Sequence, residues 1–574
     1  MATLPTPKLP TGPDIKGGSF LIEERHPEEV FTPEDLTDQH RLIRQTAEEF
    51  MTKEVIPLTA DLEDHSRQYE LLRQLMKKSG ELGLTGIDVP SEFGGLGLDK
   101  VSSLVVAEIT AHNAAFSTTI GAHSGIGTLP IVFFGTPEQK ANYLPKLASG
   151  EWIAAYCLSE ATSGSDALSA QAKATPTPEG DAYLLNGTKM WISNGGVAEL
   201  FTIFAKVDGE KFTAFLVERN TPGLSVGAEE KKMGIRGSST TPVILEDARV
   251  PASSVLGEVG KGHLIAFNIL NMGRLKLGCS AGGGARILVG EAVKWAKQRM
   301  AFGRPISDFG MIKEKLGEMI LRTYATESIN YRTTGLIDAL LEATKSDGTG
   351  QSALEAIREF AVECSISKVF GVEALDYVVD QTVQIYGGYG FSGEYPIERA
   401  YRDARVNRIF EGTDEINRLL ILDMLIKRSM KGTLPLLPAA KKLMDEILGS
   451  PLALSGRGAG DPAQPLAAEG RLIEAAKKVL LLVAGSAVQR YATDLTEEQE
   501  VIGAISNLVI EVFAMESCRL RALKNLGRAD SEGSEAHREA ELAVVRAFVH
   551  QAIDRVDTEA RRALARIAEG DTLR

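Results

Sequence analysis

The spacing of hydrophobic residues divides the chain into stretches of two different periods. From about Pro33 to Lys146 apolar residues recur at helical spacing, broken by a proline- and glycine-containing turn, DVPSEFGGLGLD, at Asp88–Asp99. In TTIGAHSGIGTLPIVFFG, Gly121, Ala122, Gly125 and Gly127 crowd one helical segment. Glycine inside a helix costs roughly 1 kcal/mol relative to alanine, so close packing or a need for open space must offset it. At Glu151 the texture changes to short runs rich in β-branched and aromatic residues. YLLNGTKMWISNGG, Tyr183–Gly196, predicts a hairpin turning near Asn186 and Gly187; ELFTIFAKV, KFTAFLVER and TPVILEDARV predict further strands. The helical period returns at Gly260 and continues to the end, apart from the small-residue linker GSPLALSGRGAGDPAQP.

These changes give a mainly α chain with a central β domain. Its parts are an extended arm at 1–32, a helical domain at 33–150, a β domain at 151–258 and a helical bundle at 259–430. An amphipathic segment and linker at 431–465 then lead to a second helical domain at 466–574. The net charge of −14 disfavours nucleic acid as a partner. Four scattered cysteines, Cys157, Cys279, Cys364 and Cys518, lack metal-ligand spacing and read as reduced core residues. No apolar run reaches membrane-spanning length; the longest candidate, VLLLVAGSAV from Val479, suits a core helix. The N-terminus has neither a secretory hydrophobic region nor an arginine before Arg25, which fits a bacterial-type cytoplasmic protein. Residues 434–448 place Leu443, Met444, Ile447 and Leu448 on one face beside Lys441 and Lys442. That face either packs on the protein or rests peripherally on the inner membrane.

Candidate chemistry concentrates in residues 384–426, QIYGGYGFSGEYPIERAYRDARVNRIFEGTDEINRLLILDMLI. Two helical patterns, ending near Tyr386 and starting near Pro396, flank a turn at Gly387, Gly388 and Gly390. A third starts after Thr413, a candidate N-cap, with Ile416, Leu419, Leu420 and Met424 at helical spacing. Glu411, between Phe410 and Gly412, sits in an apolar setting at a helix entrance. Burial raises the pKa of such a group and the helix N-terminus partly offsets this, which suits a carbon-acid base at neutral pH. FEGT alone fits a solvated turn glutamate better than a base. GYGFSG, Gly388–Gly393, matches GxGxxG but follows a helix, so it is not a dinucleotide fingerprint.

The stretch closely resembles the catalytic region of acyl-CoA dehydrogenases, specifically the very-long-chain subgroup, and three other segments agree in order and spacing: Tyr156–Asp166, Trp191–Asn194 and Gln298–Gly310. The resemblance implies that fold with an extra C-terminal helical domain, bound FAD, and α,β-dehydrogenation of long- or very-long-chain acyl-CoA. Glu411 would take the α-proton as a hydride leaves the β-carbon for flavin N(5), with Gly412 and Arg274 beside the substrate. Tyr156, Leu158, Ser159, Trp191 and Ser193 would contact the flavin, and Ser165 would lie near both flavin and acyl-CoA. Arg299, Phe302, Gln384, Gly387 and Gly388 would hold the cofactor across a subunit interface, completed by Thr413 and Glu415. The crowded glycines would make room for a long acyl chain. The usual proline after the glutamate of the first segment is Ala161 here, the usual threonine of the second is Ser193, and Gly310 stands where glutamine is frequent. A homodimer passing electrons to an electron-transferring flavoprotein is implied. An acyl-CoA oxidase using oxygen, or a flavoprotein scaffold in respiratory-complex assembly, are the alternatives.

Overall fold

The computed structural model describes residues 16–344, 350–449, 464–528 and 535–568. Four helices of the N-terminal region are α1 (Asp38–Phe50), α2 (Gln68–Glu81), α3 (Lys100–Thr110) and α4 (Ala114–Gly121). Asp99 caps α3 through the Ser102 N–H, and Asn113 caps α4 through the Phe116 N–H, so each helix starts where a side chain satisfies an orphan donor. A π-helical turn, Ala122–Gly127, follows α4 and contains the crowded glycines.

The β region is one eight-stranded sheet of β1 (Ala154–Cys157), β2 (Lys173–Pro176), β3 (Ala182–Ser193), β4 (Leu200–Val207), β5 (Lys211–Glu218), β6 (Leu224–Val226), β7 (Thr240–Pro251) and β8 (Val255–Leu256). The order is β6-β7-β3-β2-β4-β5-β8, with β1 also paired to β4. Both β1 and β2 run parallel to β4 and the other pairings are antiparallel. The predicted hairpin at Asn186–Gly187 is not a turn. β3 runs straight through it, and the register with β7 slips between Leu185 and Gly187. Asn186 makes the bulge by donating to Asp247 Oδ1 (2.9 Å) and accepting from the Asp247 N–H (2.9 Å). Gly187, at φ 141°, passes so close to β2 that a Cβ would lie 2.9 Å from Ala172 Cα.

The bundle comprises α5 (Gly262–Gln298), α6 (Gly310–Ala343), α7 (Ala361–Tyr386), α8 (Pro396–Ala404) and α9 (Asp414–Met430), with a two-stranded ribbon, β9 (Met300–Ala301) and β10 (Arg304–Pro305), after α5. The C-terminal region adds α10 (Leu436–Gly449), α11 (Ala467–Tyr491), α12 (Gln499–Leu526) and α13 (Glu535–Ile567). Its core is continuous with the bundle: Ile421, Leu425, Val362 and Ile366 pack with Ile505, Val509, Phe513 and Phe548. One buried ion pair, Arg332–Glu516 (2.6 Å), crosses the same junction, and Lys477 on α11 shares Glu516 with it at 2.6 Å. The predicted linker lies outside the described residues across 450–463.

Three expectations change. Residues 16–32 do not extend as an arm; they fold into short 3₁₀ turns that bury Phe20 and Leu21, with the Phe20 ring 4.7 Å from that of Phe513. Residues 1–15 lie outside the described residues. α12 is long and apolar enough to cross a membrane by length and composition, contrary to the sequence reading, but most of it is buried as the central helix of the C-terminal core. On α10, Leu443 and Ala440 are buried, and Ala440 meets α11 at Gly485, so this part of the amphipathic face packs inward. The side chains of Ile447 and Leu448 lie outside the described residues.

The bulge generates a stability prediction. Gly187→Val forces a β-branched side chain against Ala172, an overpacking cost of about 1–3 kcal/mol. The thermal unfolding midpoint should fall by several degrees in scanning calorimetry. An unchanged midpoint would rule out this approach of β3 to β2.

Candidate active site

Thr413 caps α9 as its position predicts, its hydroxyl accepting from the Ile416 N–H at 3.3 Å. The buried face of α9 is set by Asn417, Ile421, Leu422 and Leu425, one position round from the predicted stripe. Ile416 and Leu420 from that stripe instead line a cavity, while Leu419 and Met424 pack partly buried against the core. Glu411 and Gly412, immediately before the cap, have φ of 59° and 79°. A left-handed glutamate costs of order 1–3 kcal/mol and persists only where its surroundings over-determine it. Here Arg274 Nε donates to the Glu411 carbonyl at 3.3 Å, and Asn417 Nδ2 donates to the carbonyls of Gly412 (2.9 Å) and Thr413 (3.1 Å).

The backbone is tied down; the carboxylate is not. Glu411 Oε2 is buried with no hydrogen-bond partner among the described residues. Desolvation pushes the Glu411 pKa up to about 7, against the opposing pull of Arg274 and Lys368. Arg274 is not in a surface salt bridge. It is 4% exposed, and its Nη1 donates to Asn271 Oδ1 at 2.8 Å. Lys368 is buried and held by Asp414 at 2.7 Å, so its influence on Glu411 is shared with that partner.

Gly273 decides where the carboxylate rests. A Cβ on Gly273 would lie 2.7 Å from the Glu411 carboxyl carbon, so the bare backbone of α5 is the floor on which it sits. The signal in the sequence was a glycine inside a helical run, directly before Arg274. Asn194 is a second residue not singled out. It is buried at φ 65° and donates to the carbonyls of Thr119 (3.0 Å) and Ala154 (3.3 Å), tying the end of β3 to α4 and β1. A third feature is the buried pair Lys189–Glu160 (2.6 Å), which fastens the Tyr156–Asp166 segment to β3. Lys189 also donates to the Leu158 carbonyl, and Glu160 accepts from the Gln171 and Ala172 N–H groups.

Ten of the predicted site residues line one cavity of about 1080 Å³ between the N-terminal helices, the sheet and the bundle: Tyr156, Leu158, Ser159, Ser165, Trp191, Ser193, Arg274, Glu411, Gly412 and Thr413. That volume is at the upper end of the ~300–1,000 Å³ usual for small-molecule sites. Tyr156 is buried, and desolvation together with the nearby Glu411 holds its phenol well above the usual range; its hydroxyl has no partner among the described residues. Trp191 is 57% exposed and left-handed, at φ 57°. Gly121, Ala122 and Gly125 line the same cavity, whereas Gly127 packs tightly on Ala154. Open space and close packing therefore both occur among the crowded glycines, at different positions.

Six predicted residues stand elsewhere. Arg299, Gln384, Gly387 and Gly388 are exposed near the ends of α5 and α7, with Arg299 over the Tyr389 ring at 5.3 Å. Phe302, 95% exposed at φ 51°, sits on the ribbon between β9 and β10. Glu415 is exposed at the start of α9, its pKa lowered by hydrogen bonds from its own backbone N–H and Thr413. These residues do not join the cavity within one chain.

An unpaired, desolvated carboxylate thus faces a deep cavity between the helical regions and the β sheet, an arrangement that can take up a proton near neutral pH. Models of the acyl-CoA dehydrogenase N-terminal, middle and C-terminal domains match residues 37–151, 155–248 and 260–426, and a further acyl-CoA dehydrogenase C-terminal domain model matches 475–574. A probable acyl-CoA dehydrogenase of Bacillus subtilis (strain 168) is 47% identical over 97% of this chain and 92% of its own. The mitochondrial very long-chain specific acyl-CoA dehydrogenase of Homo sapiens is 39% identical over 78% of this chain and 69% of its own. A crystal structure of an acyl-CoA dehydrogenase complexed with FAD from Bacillus anthracis superposes with a TM-score of 0.93 at 47% identity, covering 97% of this chain and 94% of that one. The chain belongs to the acyl-CoA dehydrogenase family and is an oxidoreductase of that family.

Two predictions test the geometry. Gly273→Ala drives a methyl group into the Glu411 carboxylate; misplacement on the ångström scale costs about 10²-fold in rate. Turnover with acyl-CoA should fall by that order while the helix, gaining alanine, keeps its circular dichroism. Unchanged turnover would mean that Glu411 rests elsewhere. The raised pKa also has a sign in stability. The folded value, about 7, lies above the ordinary 4.5, so the protonated carboxyl's contribution is complete below pH 4.5 and is lost as pH rises through 7. Glu411→Gln should therefore gain melting temperature over the wild type on going from pH 5 to pH 8. A difference independent of pH would contradict the buried, unpaired carboxylate.

Proposed function

We propose that this protein is an FAD-dependent acyl-CoA dehydrogenase that converts long- or very-long-chain acyl-CoA to trans-2-enoyl-CoA in fatty acid β-oxidation and passes electrons to an electron-transferring flavoprotein. The observation that carries the reading is Glu411: a carboxylate poised near neutrality, with one buried oxygen unpartnered in an apolar cavity. An α-proton next to a thioester is weakly acidic, so its base must be desolvated and undistracted by other hydrogen bonds. Glu411 accepts that proton on Oε2, and Gly273 and Arg274 fix the carboxylate and its backbone while this occurs.

The residues present fit a flavin. Trp191 offers an exposed indole face beside the cavity, and the hydroxyls of Ser159, Ser193 and Thr413 line it. Bound FAD supplies the acceptor for the hydrogen leaving the β-carbon. The cavity lining is mostly apolar and includes Phe410, Leu270 and Ile416, which lowers the polarity around the substrate. Arg299, with its forked guanidinium, and the open backbone at Gly387 and Gly388 suit a pyrophosphate presented by a second copy. Phe302 and Phe391, at 95% and 85% exposure, support the same homodimer. The depth opened by Gly121 and Gly125 supports a long acyl chain. The inward packing of Leu443 on α10 supports a cytoplasmic enzyme without a membrane anchor at that helix.

Glu411→Gln should retain FAD and abolish bleaching of the flavin by palmitoyl-CoA under anaerobic mixing, a loss of at least 10²–10⁴-fold. Near-normal bleaching would place the base elsewhere. Arg299→Ala should reduce FAD occupancy of the purified protein more than it weakens acyl-CoA binding by the fraction that keeps flavin. Full occupancy, or an active monomer in sedimentation at assay concentration, would remove the partner-subunit role.

A further inference from the structure

The cavity wall carries a charge network that proton abstraction does not use. Lys276 Nζ donates to Asp88 Oδ2 at 2.8 Å, Lys100 Nζ donates to Asp88 Oδ1 at 2.7 Å, and Ser103 Oγ donates to Asp88 Oδ2 at 2.7 Å. Asp88, Ser103 and Lys276 all line the cavity. The Asp88 and Lys100 side chains are 4% and 3% exposed, against 13% for Lys276, which is therefore the cation with access to cavity contents. Asp88 accepts three hydrogen bonds, so its demand is largely met. Lys276 has three N–H donors and uses one of them, on Asp88. Its stem lies along the π-helical turn, where a Cβ on Gly125 would be 3.7 Å from Lys276 Cδ. Lys276 stands one turn of α5 beyond Gly273, an axial advance of about 4.5 Å from the residue beneath the base. An acyl chain extending from the reacting carbons along α5 toward Gly125 would pass this ammonium. A plain hydrocarbon would strip water from the two remaining donors and return nothing.

We propose that Lys276 is a binding point for an oxygen on the acyl chain, so that the cavity favours hydroxylated acyl thioesters over unsubstituted chains of equal length. A neutral hydroxyl fits better than a carboxylate, because a carboxylate would have to be desolvated in a largely apolar cavity and would share the ammonium with Asp88. The inference rests on the acyl-CoA dehydrogenase reading and narrows its substrate class. The test is a positional series on the FAD-loaded enzyme: acyl-CoAs of one chain length carrying a single hydroxyl, moved carbon by carbon from the γ-position to the chain end, with the unsubstituted and ω-carboxyl chains alongside. Anaerobic flavin bleaching gives kcat/KM for each. The wild type should show a maximum at one or two adjacent positions, roughly tenfold above the unsubstituted chain, as one charge-assisted hydrogen bond supplies. Lys276→Met should flatten the maximum, and Lys276→Gln, which keeps a donor, should retain part of it. A flat wild-type profile, a maximum that survives Lys276→Met, or a clear preference for the ω-carboxyl chain overturns the proposal, and the wild-type profile alone decides if the methionine variant fails to fold. Should no member bleach the flavin, the unsubstituted chain included, it is the underlying reading that fails.

Discussion

The site depends on a separation between what holds Glu411 and what Glu411 offers. Its backbone is gripped through carbonyl oxygens, by Arg274 and by the Asn417 amide that closes the adjoining turn, and is bent into the left-handed region that side chains usually avoid. Its carboxylate receives no such bonds on Oε2 and rests on the bare backbone of Gly273. Had Arg274 paired with the carboxylate, the acid would be strong and the base correspondingly weak. Directing the guanidinium to the carbonyl keeps its positive field nearby while leaving the oxygen free.

The rest of the molecule keeps that arrangement in place. Asp414, the first residue of α9, is buried between Lys368 and Arg408 (2.7 and 3.0 Å), which anchors the helix immediately after the base. One turn further on, Arg418 Nε donates to Asn507 Oδ1 at 2.7 Å, and its carbonyl accepts from Ser506 Oγ at 2.7 Å, both on α12. The C-terminal region thus supports the helix that follows Glu411, in addition to completing the core. Part of the backbone strain lies at the site: among the described residues, three of the nine non-glycine positions at positive φ, Trp191, Ile235 and Glu411, line the cavity. Such conformations are retained where the surroundings, or a bound group, require them.

The helices around Glu411 were legible because their signals are local. Thr413 caps the helix it was expected to cap, Tyr386 and Pro396 end and start helices, and Glu411 stands between an aromatic residue and a glycine. The failures share a cause, which is that a distant segment overrode a local rule. Asn186–Gly187 reads as a turn, but Asp247 on β7 supplies the bonds that make it a bulge. Residues 16–32 read as an arm because their apolar content is low, yet Phe20 and Leu21 meet a core contributed by α12, nearly five hundred residues later. Gly273 is significant only through Glu411, which the sequence places far away. Arg299, Phe302, Gln384, Gly387 and Gly388 carry a family pattern that a single chain leaves pointing at solvent.

The ionisation of Glu411 is the quantity on which the account turns, and infrared difference spectroscopy reads it directly. Spectra of the wild type minus Glu411→Gln, both with FAD bound, would be recorded from pH 5 to pH 9. A protonated-carboxyl band that disappears with a midpoint near 7 is the predicted result. A carboxylate fully ionised at pH 5 would show that Glu411 is paired or solvated, and would contradict its role as a desolvated base.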